Sequence, residues 1–195
     1  MPLDAPSQNT SDQNAGTGIF VVETQNEVAD VLPKPLTISF HKVCLTNTCD
    51  DGNKELGFKK NSGDQPNGNI WLGNVGGATG EYAFSNLFGS ANSFPLHSFF
   101  SFNPKLNFEL ASNQTTYLGH FIVMVKPREN SEPRASLAFA FLTPFEIIND
   151  YVNGLHQGTL KVEVQDRYES DVALLASKYP ELRAVTIGKM IARNV

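Results

Sequence analysis

Residues Thr115 to Lys126 read T-T-Y-L-G-H-F-I-V-M-V-K, a long segment in which both alternating faces are largely apolar. A strand with that pattern predicts burial on both sides, so its neighbours must cover it from above and below. The chain has 195 residues, 41% of them hydrophobic, which is enough material for such a core in one domain. Charged residues make up only 18%, below the roughly 25% usual for soluble domains, while Gly (15), Pro (11) and Phe (14) are plentiful. That profile suits short strands joined by many turns.

The rest of the chain repeats the pattern. Ile19 to Glu23 (I-F-V-V-E) is a short run of β-formers, and Leu36 to Cys44 alternates Leu36, Ile38 and Phe40 against Thr37, Ser39 and His41. Pro33-Lys34-Pro35 between them marks a connection or a strand start, because proline donates no ladder hydrogen bond. Asp50 to Asn69 is rich in Asp, Gly, Asn and Lys and reads as a loop or irregular hairpin, with Asn67-Gly68 a preferred tight-turn pair. Further aromatic-rich strands are predicted at Ile70 to Leu72, Glu81 to Phe88, Phe94 to Phe102 and Leu106 to Leu110. Turn signals recurring at roughly 8 to 12 residues are the mark of a sandwich or barrel. Ser136 to Leu142 alternates Leu137, Phe139 and Phe141 against Ala138 and Ala140, and is expected to pair antiparallel with Thr115 to Lys126.

Helical signals gather near the C-terminus. Thr143-Pro144-Phe145-Glu146 carries an N-cap, a first-turn proline and a capping glutamate, and Asn153-Gly154 would end that helix. Thr159 to Val164 alternates again as a strand. Asp166-Arg167-Tyr168-Glu169 opens a second helix over about 167 to 178, with Tyr168, Val172, Leu175 and Tyr179 at helical spacing and Pro180 as its stop. Ala184 to Ile191 fits a further helix or a last strand. The expected fold is thus a mainly β protein, an antiparallel β-sandwich with one or two peripheral helices toward the C-terminus. Residues 1–17 read as a disordered polar leader and 18–195 as a single β-rich domain.

That leader, M-P-L-D-A-P-S-Q-N-T-S-D-Q-N-A-G-T, lacks the charged and apolar regions of a signal peptide. It fits a natural flexible segment or the tether left behind a removed signal. No run approaches the roughly 18 to 20 apolar residues that a membrane-spanning helix needs, so no transmembrane segment is expected. The two cysteines, Cys44 and Cys49, are spaced C-L-T-N-T-C. A reversal through Thr46-Asn47-Thr48 can bring them within the roughly 4.4 to 6.8 Å of a disulfide. Two free thiols and half a metal site are the alternatives, the latter lacking a second ligand pair. A disulfide would place the chain in an oxidising compartment.

Few residues point to chemistry. The net charge of −5 argues against a nucleic-acid partner, which needs a concentrated basic surface. His41, His97, His120 and His156 are scattered without metal-ligand spacing, and in strands His41 and His120 are expected to be satisfied by a neighbouring carbonyl or carboxylate. No nucleophile elbow occurs. The glycines in Gly73-Asn74-Val75-Gly76-Gly77-Ala78-Thr79-Gly80 do not form a phosphate loop, since no Lys-Ser/Thr follows, and a mobile hairpin or rim loop is expected there. No metal and no cofactor is expected. The candidate ligand surface is aromatic: Trp71, Tyr82, His97, Phe99 and Phe100, around the run F-P-L-H-S-F-F-S-F, which can stack on a ligand or fill the space between two sheets.

Phe108-Glu109-Leu110 through Thr115-Thr116-Tyr117-Leu118-Gly119-His120, followed later by Asp166-Arg167-Tyr168-Glu169-Ser170-Asp171 and Lys178-Tyr179-Pro180-Glu181-Leu182, resembles elements of uncharacterised exported bacterial β-sandwich proteins, many of them lipoproteins. The resemblance covers the C-terminal half, and Ala111-Ser112-Asn113-Gln114 stands where those proteins carry a glycine-containing turn. It implies an envelope location, periplasmic or surface-tethered, and a non-catalytic role, and it transfers no functional residue. The expectation is an extracytoplasmic binding or structural module with a protein or cell-envelope partner and a possible lipid anchor outside the given sequence. The alternatives are a small, cytoplasmic enzyme with a loop-built site pairing His97 with Glu81 or Glu109, and an intracellular or virion scaffold.

Overall fold

A computed structural model describes residues 15–43, 54–57, 59–60, 69–93, 95–136 and 144–194. Along the chain these form β1 (Ala15–Asn26), β2 (Lys34–Lys42), β3 (Lys54–Gly57), β4 (Lys59–Lys60), β5 (Ile70–Ala78), β6 (Gly80–Ser93), β7 (Leu96–Phe102), β8 (Leu106–Leu110) and β9 (Thr115–Pro127). Then come α1 (Pro144–Val152), β10 (Gly158–Gln165), α2 (Tyr168–Lys178), a 3-10 turn (Pro180–Ala184), β11 (Ile187–Lys189) and β12 (Arg193–Asn194). Two sheets result. The first runs β10-β9-β1-β5-β4, with β11 also on β9; the second runs β12-β8-β6-β2-β3, with β7 also on β6.

The protein is a mainly β sandwich with its helices toward the C-terminus, as the strand rhythm predicts. The first sheet is mixed rather than purely antiparallel: β1 runs parallel to β9 from Thr17↔Thr115 to Asn26↔Val125, and β11 is parallel to β9 as well. Long-range pairing of β1 with β9 explains why local alternation could not show it. Nor is β9 paired with the segment from Ser136. Its antiparallel neighbour is β10, and Ser136 instead bridges to Phe100 in the other sheet; residues 137–143 lie outside the described ones. The strand expected from Ile19 begins at Ala15, because Ala15 to Gly18 pair with Ala78 to Val75, so the first strand takes in the last residues of the expected leader. At the other end, the ambiguous stretch after Ala184 supplies strand β11.

Between the sheets lies an aromatic core. Phe20 and Phe121, neighbours in the first sheet, stack at 5.1 Å, and both meet Phe84 of the second sheet edge-on at 5.7 and 5.6 Å. Phe84 continues to Phe108 at 4.5 Å, and Tyr82 stacks on Phe108 at 5.5 Å while its hydroxyl donates to the Ala78 carbonyl. Such contacts add roughly 0.5–1.5 kcal/mol each beyond the area they bury. Trp71 and Phe100 belong to the same core.

That core explains the glycines. Instead of a rim loop, Gly73 to Ala78 continue β5 along β1, and the chain reverses at Thr79-Gly80, where Gly80 takes a positive φ of 143°. A Cβ on Gly73 would sit 2.4 Å from the tip of the Phe20 ring, which is already stacked on Phe121. Gly76 faces nothing closer than 3.9 Å. Gly73→Ala is therefore expected to cost about 1–3 kcal/mol through overpacking, while Gly76→Ala stays within about 0.5 kcal/mol. Urea midpoints of the two variants check this, and equal losses would refute the contact with Phe20.

Candidate functional site

The outer face of the first sheet carries the only buried ionic cluster among the described residues, and a bulge in β9 creates it. Ile19 pairs with Tyr117 but Phe20 with Gly119, so one residue of β9 is extra at this point. Gly119 absorbs the bulge with a φ of 127°, a conformation that favours glycine. The extra residue resets the alternation. Leu118 and Phe121 point into the sandwich, while Tyr117 and His120 both point outward toward α2.

There His120 is held between two carboxylates. Its Nδ1 lies 3.1 and 3.0 Å from the two carboxylate oxygens of Asp171 on α2. Its Nε2 lies 3.0 Å from Oε2 of Glu23 on β1 and 3.2 Å from Nη1 of Arg167. The Tyr117 hydroxyl donates to Asp171 at 2.6 Å, and Arg167 donates to Glu23 at 2.9 Å and to Gln165 at 2.9 Å. Tyr117, His120 and Asp171 are buried. The ring has a partner in either protonation state: protonated on both nitrogens it donates to both carboxylates, and with Nε2 bare it accepts from Arg167. Burial raises the Glu23 carboxyl, but hydrogen bonds from Gln25, His120 and Arg167 outweigh it and hold that group below its ordinary range. Burial foremost, and the Asp171 carboxylate beside it, push the Tyr117 hydroxyl far up, so it stays a donor.

Around this cluster Ile19, Val21, Leu72, Tyr117 and Leu175 form a second small core, against which Tyr168, Leu174, Tyr179, Leu182, Ile187 and Ile191 pack. Chemically the arrangement does one thing well. It locks α2 and the chain after it onto the sheet, with every partner of His120 supplied by the protein and no nucleophile within the group. The histidine's partners were anticipated as a class. Their identities were not, although Asp171 sits on the buried Tyr168–Leu175 side of α2 and Glu23 ends an apolar run, which are the two available signals.

α1 is built the opposite way. Asp150 in the helix and Asn153 just past its end are buried at the sandwich edge: Asn153 donates to Ser98, accepts from Ser93 and takes an Asn26 amide on its carbonyl, and Asn149 donates to the His97 carbonyl. Phe145, Ile147, Ile148, Tyr151 and Val152 are between 44% and 77% exposed. Burial raises the Asp150 carboxyl, with the Ser98 hydroxyl pulling it the other way.

The sequence-predicted aromatic residues divide. Trp71, Tyr82 and Phe100 are core residues, where interdigitation between the sheets occupies their rings. His97 and Phe99 alternate onto the outer face of β7, where Phe99 is 48% exposed and stacks on Phe88 at 5.8 Å. His97 meets neither glutamate named with it. Its cross-strand partner Asn92 lies eleven residues along β6 from Glu81, which pairs with Glu109, a separation of roughly 35 Å at strand spacing. A cleft of about 270 Å³ beside Glu81, Phe108, Glu109 and Arg193 and another of about 480 Å³ beside Thr17, Gln114 and Thr186 are lined by none of Trp71, Tyr82, His97, Phe99 and Phe100. Cys44 and Cys49 lie outside the described residues.

No protein-family model and no curated protein matches the chain. Among solved structures, 56% of it is similar to a leucine-rich repeat protein from Bacteroides thetaiotaomicron VPI-5482, at 14% identity and a TM-score of 0.37. The overlap spans 14% of that chain, far less than two thirds of its length, and carries no argument about fold or function.

Two pH signatures follow from the carboxylates. Glu23, lowered in the fold, contributes stability that is present above its ordinary value of 4.5 and is lost as pH falls through the lower folded value. Glu23→Gln is expected to lower stability by about 1–2 kcal/mol at pH 7, with the two unfolding curves converging in acid; curves parallel at every pH would refute the role. Asp150 has the reverse sign, because its raised carboxyl makes the native state gain stability as pH falls toward 3.8. Asp150→Asn should therefore raise the urea midpoint at pH 7 and lose that advantage in acid, and a lower midpoint at pH 7 would contradict the assignment.

Proposed function

We propose that this protein is a non-catalytic binding or structural module that works outside the cytoplasm, in the cell envelope, and holds a protein partner on the outer face of β6 and β7. The observation that carries this reading is the Phe88–Phe99 stack, with Phe99 and His97 presented outward on one strand. Outer faces of a sandwich are ordinarily polar. A half-exposed aromatic ring fixed by a second ring beneath it loses little conformational freedom on contact, which is what makes aromatic residues effective anchors in protein interfaces. Ser101, two residues along β7 on the same face, is small and only partly buried, so a partner's side chain can approach the ring from that side.

The envelope location rests on the resemblance to exported β-sandwich proteins, on the polar segment before β1 and on the Cys44–Cys49 spacing, whose disulfide needs an oxidising compartment. A lipid anchor ahead of the polar segment fits the same reading.

The test uses a photo-reactive residue placed at Phe99 in the full chain, in its native host, with Glu181, an exposed residue elsewhere, as the control position. A discrete crosslinked protein at position 99, recovered in the envelope fraction and several-fold stronger than at position 181, is the expected result. Equal yields at the two positions, or a chain found only in the cytosol with alkylatable cysteines, would overturn the proposal.

A further inference from the structure

We propose that the outward face of α1 is the contact of a two-fold symmetric dimer of this chain, formed by antiparallel packing of α1 on the same helix of a second copy. The reasoning starts from the helix wheel. At roughly 100° per residue, Ile147, Tyr151, Pro144, Ile148, Val152 and Phe145 fall on one continuous arc of about 160°, and Asn149, Asn153, Glu146 and Asp150 fall on the other side. An ordinary surface helix turns its apolar arc to the core. This one turns Asp150 and Asn153 inward and shows the arc to solvent.

Three observations select a second copy as what covers it. The first is charge. The arc carries no ionised group, and both carboxylates of the helix lie off it. Two chains of net charge −5 can therefore meet there without placing like charges in contact. The second is self-complementarity. Bulky residues stand at both ends, Phe145 at one and Tyr151 and Val152 at the other, with Ile148 between them. With a two-fold axis beside Ile148, Phe145 lies over the partner's Val152 and the same contact repeats on the other side of the axis. The third is area. Five large side chains, 44% to 77% exposed, offer on the order of 500 Å² per copy, and a pair buries roughly 1,000 Å², the size at which specific association begins. A membrane surface is the poorer occupant, because α1 has no lysine or arginine to meet lipid headgroups and carries two carboxylates.

An interface of this size predicts a weak dimer, with a dissociation constant of roughly 1–100 µM. The experiment is sedimentation equilibrium of the full chain from low to high micromolar concentration, with Ile148→Asp and Phe145→Asp as variants and Phe99→Ser as the control. Both positions are exposed, so the variants keep the fold, which thermal unfolding of each sample verifies. The expected result is a monomer–dimer equilibrium weakened at least tenfold by either α1 variant and unchanged by Phe99→Ser. A chain monomeric at every concentration, or a dimer indifferent to both α1 variants, would overturn the inference. So would flotation of the monomer with phosphatidylcholine–phosphatidylglycerol vesicles that Ile148→Asp abolishes, since the face would then belong to a bilayer. Each of these outcomes leaves the Phe99 surface and its crosslinking test untouched.

Discussion

Two-sided burial of β9 is the constraint on which the rest of this structure depends. Its inward residues Leu118, Phe121, Val123 and Val125 belong to the aromatic core between the sheets, and its outward residues include Tyr117 and His120. A strand in that position needs neighbours on both edges and cover on both faces. The chain supplies them from distant parts of its length: β1 on one edge, β10 and β11 on the other, the second sheet below and α2 above. Most contacts of β9 are therefore long-range, a topology whose loop-closure cost slows folding relative to helical proteins of the same size.

The polar outer face of β9 follows from the Gly119 bulge. Without the extra residue, His120 would enter the aromatic core beside Phe20 and Phe84, where no carboxylate waits, and Phe121 would face α2. With it, an imidazole, two carboxylates and a guanidinium meet at one place. Buried ionic groups of this kind add little net stability compared with apolar packing, yet breaking one partner is costly, because the others remain desolvated. The cluster therefore acts on specificity: it admits one placement of α2, the one that brings Asp171 to both His120 and Tyr117. The apolar residues around it, Leu175 and Tyr168 among them, supply the attraction that the ionic groups do not.

Much of this was legible in the sequence, and the remainder divides by physical cause. The two-sided strand, the alternation of β2, the glycine after α1 and the stripe on α2 are local patterns, and each of these elements forms where its pattern lies. The glycine-rich stretch before Glu81 misled because glycine in a strand and glycine in a loop look alike until the facing residue is known; for Gly73 it is Phe20, its register partner on the antiparallel neighbour and 53 residues away in sequence. The aromatic surface was half visible. Period-two alternation alone puts Phe99 and Phe100 on opposite faces, but which face is the core depends on the second sheet. The partnership of Glu23, His120 and Asp171 joins three elements far apart in sequence and required the fold.

The two helices show what a sandwich does with elements outside its sheets. α2 obeys the usual rule, apolar side inward, and closes over the cluster of Glu23, His120 and Asp171. α1 breaks that rule, and the reason lies in what it packs against. It caps the edge of β7, where Ser98, Ser93 and the His97 carbonyl offer hydrogen-bonding groups rather than apolar surface. An edge strand presents unpaired backbone groups that invite pairing with another chain, and a polar helix side satisfies such groups where an apolar one would bury them unpaired. Once the edge dictates a polar inner side, the apolar residues of α1 have nowhere to go but outward. Their presence there is then a property of the sequence that the sandwich does not require, since alanine, lysine or glutamate at Phe145 and Ile148 would leave the inner contacts as they are and form the helix more readily. Among the described residues nothing covers these five side chains, and they form the face that the proposed second copy would bury.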